Sequence, residues 1–103
     1  MSYKYKLEGK IPVPCEDLYE WGLWLEKSVE QRTVKYDKIP PDIHVSTMFL
    51  GFDFNYGLRK PALFETMIFG VEHHGFQRRY STWEEAETGH QKAIELIFEV
   101  KES

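Results

Sequence analysis

Three groups of polar side chains in this chain have the types and spacing to do chemistry. The first is Arg78, Arg79, Tyr80, Thr82 and Trp83, in the run R-R-Y-S-T-W. Two guanidiniums just before a helix start can clamp an anion, toward which the first N–H groups of the helix also point. Tyr80 or Trp83 would offer a flat face to a base, so a phosphate-bearing, nucleotide-like ligand suits the group. The same arginines can instead pair with Glu84, Glu85 or Glu87 on the surface, and both readings stand at this point.

The second group is Asp53, Asn55, Arg59 and Lys60, in D-F-N-Y-G-L-R-K. Asp-x-Asn offers oxygen ligands to a cation, but the other ligands of a calcium loop are missing. The plainer reading is that Asn55 and Gly57 shape a turn that Asp53 caps. The third group is His44, Ser46, Thr47, Glu65, Thr66, His73, His74 and His90. Ser46 with a histidine and Glu65 has the composition of a hydrolytic triad, yet no nucleophile elbow surrounds Ser46. Glu65 lies in an apolar run, so it is either a partnered inward carboxylate or a charge on an open face. No residue is assigned as catalytic or metal-ligating, and no cofactor is implied; Glu65 and His90 are kept as ligand-contact candidates.

Composition narrows the partners. The 103 residues are enough for one domain, 1–103, with a real core, and too few for two. Net charge is −4, and no Lys/Arg run makes the basic face that duplex binding requires. Aromatic residues reach 16%, which serves either a core of large side chains or a surface that stacks on planar ligands. Cys15 is the single cysteine, so neither an internal disulfide nor a cysteine metal cluster can form. The start M-S-Y-K-Y-K-L-E-G-K lacks an apolar signal core, and no apolar run nears the roughly 18 residues of a membrane span. The expectation is a cytoplasmic protein without a membrane partner.

The elements that must position these groups follow from periodicity. Residues 3–8 alternate aromatic or apolar with charged, the mark of a half-buried strand that Gly9 ends. K-I-P-V-P is non-helical, because each proline pushes its predecessor toward extended backbone. A helix is expected from near Cys15, with Cys15, Leu18, Gly22, Leu25 and Val29 on one stripe and Trp24 at the core edge or exposed to a partner. A weak strand covers 31–38, and a long-tipped hairpin pairs about His44–Phe52 with about Ala62–Gly70. Residues 71–80 read as a loop. Thr82 and Glu85 make a capping box for a last helix to about Glu99, with Trp83, Ala86, His90, Ala93, Ile94 and Ile97 inward. Gly89 inside that helix costs about 1 kcal/mol relative to Ala, which close packing on the sheet would explain. The order β-α-β-β-β-α implies an α+β two-layer sandwich, an antiparallel sheet of about four strands with two helices on one face. Strands apolar on both faces suggest a homodimer.

The blocks H-V-S-T-M-F-L-G-F-D, L-F-E-T-M-I-F-G and R-Y-S-T-W-E-E-A-E-T-G-H resemble those of a family of small uncharacterised bacteriophage and prophage proteins. The likeness runs from Y-K-L-E-G-K-x-P-V-P to His90. Where relatives are expected to have a His after the tip Asp and a glycine-rich connector, this chain has Phe54 and Leu58-Arg59-Lys60, which weakens a metal reading of the tip. The resemblance implies a small phage binding protein in the host cytoplasm. Its expected action is counter-defence by sequestering a nucleotide-like immune signal without turnover. An adaptor or inhibitor that binds a host defence protein through the open sheet face is the alternative, and a small hydrolase using His44 or His90 with Glu65 the third.

Overall fold

The computed structural model describes residues 3–70 and 76–102. The elements in chain order are β1 (Tyr5–Glu8), β2 (Ile11–Pro14), α1 (Leu18–Lys27), α2 (Val29–Arg32), β3 (Thr33–Ile39), β4 (Ile43–Phe49), β5 (Phe64–Phe69), β6 (Gln77–Tyr80) and α3 (Trp83–Glu102). β3, β4, β5 and β6 form an antiparallel four-stranded sheet in sequence order, and β1 with β2 forms a separate two-stranded one. The α+β class and the central hairpin of the expected architecture are therefore present, with three departures.

First, Tyr5–Glu8 pairs with Ile11–Pro14 and not within the main sheet. The prolines permit this because, among the described residues, β2 has β1 as its only neighbour, so a missing N–H on its far side costs no ladder bond. Second, the first helix starts later than Cys15 and ends at Lys27, and Val29 opens the separate α2. The expected inward stripe is not buried within them, since Leu18 and Val29 are exposed. The Cys15 amide is still a rung of the hairpin, donating to Lys4 O at 2.8 Å, and Asp17 is the N-cap, accepting from Glu20 N at 2.8 Å. Third, residues 77–80 are an edge strand and not loop, paired to β5 from Met67↔Gln77 to Phe64↔Tyr80.

Alternation sorts the main sheet into two faces. On β4, Ile43, Val45, Thr47 and Phe49 are buried while His44, Ser46 and Met48 are partly open; on β5, Phe64, Thr66 and Ile68 are buried and Phe69 is exposed. The buried face lies under α3, whose Ala86, His90, Ala93 and Ile97 point into it. The apolar core falls into two clusters. Ile39, Ile43, Val45 and Ile68 meet Ala93 and Ile97 at one end; Leu7, Phe49, Leu63 and Phe64 meet Ala86 at the other. Trp24 packs edge-on against Phe49 at 5.9 Å between centroids, so it belongs to the core edge.

Gly51 ties the small sheet and α1 to the main one. Its carbonyl accepts from Trp21 Nε1 at 2.9 Å and from Tyr5 N at 2.9 Å. With φ of +81° and Leu25 Cδ2 only 2.7 Å from where a Cβ would sit, the position requires glycine. Gly89 answers to a similar constraint, since a Cβ there would fall well inside contact distance of the Tyr80 ring and hydroxyl. Close packing on the sheet is indeed what this helical glycine provides.

Candidate functional site: a channel between the sheet edge and the last helix

The hairpin tip is a self-satisfied loop. Asp53 is 1% exposed, and its carboxylate accepts from the backbone N–H of Asn55 (2.8 Å), Gly57 (2.8 Å) and Ala62 (3.0 Å). Burial alone would raise its pKa, but these bonds to the charged form outweigh it and hold the group below the ordinary aspartate value of 3.8. Asn55 Nδ2 donates to Lys60 O at 2.8 Å. Both side chains are thus spent on the loop itself, and exposed Arg59 stands without them on its outer surface.

The histidine and hydroxyl residues separate by face. His44, Ser46 and Glu65 sit on the outer face, with the Tyr36 hydroxyl hydrogen-bonded to His44 Nδ1. Thr47, Thr66 and His90 lie inside, each fully buried. His90 therefore does not meet Glu65 or His44, which removes the His90 version of the hydrolase arrangement. His44 and Glu65 share the outer face four residues apart in register, and His73 and His74 lie outside the described residues. Instead His90 Nε2 is 2.8 Å from Asp37 Oδ2, its Nδ1 is 2.7 Å from Thr47 Oγ1, and Thr47 Oγ1 is 2.5 Å from Thr66 Oγ1. A carboxylate only accepts, so Nε2–H donates to Asp37, and in the neutral ring Nδ1 accepts from the Thr47 hydroxyl. The hydroxyl–imidazole–carboxylate order is that of a nucleophile, base and orienter. Thr47 at 0% exposure can reach no substrate, however.

This chain is a polar seam between the two apolar clusters. Removing one member strands the others, whereas replacing all of them with apolar groups leaves nothing unpaired. Thr47→Val and His90→Leu are each expected to lose about 2 kcal/mol, and the triple variant Thr47→Val, Thr66→Val, His90→Leu less than the sum of its parts. Urea unfolding of the singles and the triple checks this.

Around residues 76–85 the structure rearranges the expected anion pocket. Strand alternation puts Arg78 on the helix side and Arg79 on the outer face, so the pair does not converge. Arg79 Nε is 2.9 Å from Glu65 Oε2, its guanidinium lies 4.3 Å from the Phe54 centroid, and Gln77 Nε2 donates to the same carboxylate at 2.5 Å. Glu65 is accordingly a partnered charge on the open face. The helix start holds its own anion. Glu85 Oε1 accepts from Ser81 N (3.2 Å), Thr82 N (3.1 Å) and Thr82 Oγ1 (3.2 Å), while Glu85 N donates to Thr82 Oγ1 at 3.1 Å. That is the capping box in the Thr82–Glu85 frame. Trp83 packs edge-on to Phe64 at 6.2 Å, with Lys10 over its ring.

What the structure does open is a channel of about 810 Å³ between β6 and one flank of α3. Phe76, Arg78 and Tyr80 form the strand wall; Glu84, Glu85, Thr88, Gly89, Lys92, Ala93, Glu95, Leu96 and Glu99 form the helix wall. Of the sequence-nominated residues, Arg78 and Tyr80 line it directly, while Thr82 and Trp83 stand at its end and Arg79, Asp53, Asn55, Arg59, Glu65 and His90 do not line it. The Tyr80 hydroxyl is buried beside Gly89 with no partner among the described residues. Sequence reasoning missed Phe76, Lys92, Glu95, Leu96 and Glu99. Their signal was the polar stripe at positions 84, 88, 92, 95 and 99, which gains meaning only once residues 77–80 are seen to be a strand.

Among the described residues no three His, Cys, Asp or Glu side chains gather as a metal-ligating group, and no helix is long and apolar enough to cross a membrane. Comparison with family models, curated proteins and solved structures finds no match to this chain.

Proposed function

We propose that this protein is a small binding module that acts by occupying its partner without turnover, and that the channel between β6 and α3 is its site. One observation carries the reading. Of the other polar groups nominated from the sequence, Asp53, Asn55, Glu65, Arg79, Thr82 and His90 are taken up by the fold itself, as cap, loop bond, ion pair or buried seam, whereas the channel presents polar and aromatic side chains around open space. The occupant that suits it best is a segment of another protein, which makes the chain an adaptor or inhibitor. The lining holds four glutamates against Arg78 and Lys92, a balance that disfavours a phosphate anion. A nucleotide-like ligand is the second reading, favoured by the nearness of those two cations to Phe76 and Tyr80. The resemblance to small phage proteins supplies the setting for either: counter-defence by sequestering a host component.

The test is amide mapping of ¹⁵N-labelled protein with two probes, a pool of random linear heptapeptides and a panel of mono-, di- and cyclic nucleotides. The peptides are expected to shift resonances of Gln77–Tyr80 and the facing side of α3, and chromatography is expected to recover each nucleotide unchanged. Consumption of a nucleotide, or peptide shifts confined to the outer sheet face, contradicts the proposal. That outer face, where Tyr36 is 53% and Phe69 49% exposed, is the surface a homodimer would cover. Sedimentation at low micromolar concentration decides it, a single 12.3 kDa species excluding the dimer.

A further inference from the structure

We infer that the channel receives an extended polypeptide segment that lies along β6 as a fifth strand of the main sheet, basic near both ends and uncharged or acidic in the middle. The inference rests on the binding reading above and adds the partner's conformation and charge pattern. Among the described residues β6 has β5 as its one neighbour, so one side of its backbone presents N–H and C=O groups with no ladder partner there. Such an edge is a template for an added strand, whose main-chain bonds give affinity and whose alternate side chains give selectivity. The flank of α3 that faces Phe76, Arg78 and Tyr80 supplies the second wall. The channel-lining residues of α3 run from Glu84 to Glu99, about 22 Å at 1.5 Å per residue. That length matches about six or seven residues of extended chain.

The walls set the charge pattern. Glu84 stands at one end of the helix wall and Glu95 with Glu99 at the other, while Lys92 on the helix and Arg78 on the strand lie between. Glu85 is taken up by its capping box, but among the described residues no ion pair engages Glu84, Glu95 or Glu99. A segment with Lys or Arg at two positions four to six residues apart would meet the carboxylates at both ends. Phe76 and Leu96 would take an apolar side chain near one of them. A second copy of this chain fits poorly. Its β6, Gln77-Arg78-Arg79-Tyr80, carries its two arginines side by side and not four to six residues apart.

The experiment is selection of a displayed library of random linear nonapeptides on the full-length protein, followed by amide mapping and affinity measurement for the enriched sequences. The enriched peptides are expected to carry the basic pair, to shift Gln77–Tyr80 and the α3 flank, and to protect β6 amides from exchange. The double variant Glu95→Lys, Glu99→Lys, which changes only exposed side chains, is expected to weaken them by about tenfold at low salt. Enriched peptides that bind the channel without a basic pair, or with no loss in the double variant, overturn this inference and leave the binding-module reading standing. Enriched peptides that map to the outer sheet face overturn both, whereas a nucleotide that shifts the channel when no peptide does overturns this inference and leaves the binding-module reading with its second ligand.

Discussion

Gly89→Ala is expected to destabilise the fold by about 2 kcal/mol or more, although the same exchange in an open helix stabilises it by about 1 kcal/mol. The reversal comes from one neighbour. An added Cβ would overlap Cζ, Oη and Cε1 of Tyr80, whose ring packs against the second core cluster. Relief requires the ring to move off Gly89 or α3 to lift from the sheet, and either gives up packing against the core. In thermal unfolding the loss corresponds to a midpoint lower by about 10 °C for a domain of this size. The partner variant decides whether Tyr80 is the cause. In a Tyr80→Ala background the overlap is gone, so Gly89→Ala should there raise stability by about 1 kcal/mol, a change of sign no general helix effect can produce.

Asp53→Ala carries a second large effect, a loss of about 3 kcal/mol. The substitution leaves three backbone N–H groups in and around a buried site without their acceptor, and bonds to an ionised acceptor are the stronger kind. Asp53→Asn should cost less, about 2 kcal/mol, because one oxygen can still serve Asn55 and Ala62 while the amide faces the Gly57 N–H. The carboxylate also gives the fold a defined pH response. Its folded pKa lies below the ordinary 3.8, so its contribution is present above that value and is lost as pH falls through 3.8 toward the folded one. Wild type should therefore lose stability across this acid range by an amount that Asp53→Asn does not show. Parallel urea titrations at pH 6 and at successive steps below pH 4 measure the difference.

Much of the scaffold was legible because local signals there agree with tertiary demands. The alternating run through Val45, Thr47 and Phe49, the Thr82–Glu85 cap and the need for close packing at Gly89 each have a physical cause confined to a few residues. β6 was not legible, since Gln77-Arg78-Arg79-Tyr80 has no apolar alternation and owes its strand to pairing with β5. Missing it hid the site. An arginine pair read as adjacent in a loop is a clamp, but the same pair in a strand faces opposite ways, one into the channel and one onto Glu65. The seam of Thr47, Thr66, His90 and Asp37 was hidden for a related reason. Its members come from four elements, and sequence spacing carries no trace of a register such as Thr47↔Thr66.

The central claim, that β6 and α3 together hold an extended segment of another protein, is tested most directly by intermolecular nuclear Overhauser effects between a selected basic peptide and the labelled protein. Strand-type contacts are expected from the peptide backbone to Gln77–Tyr80, with peptide side chains near Lys92, Glu95 and Leu96. Contacts at Tyr36, Met67 and Phe69 on the outer face, with none along β6, would contradict it.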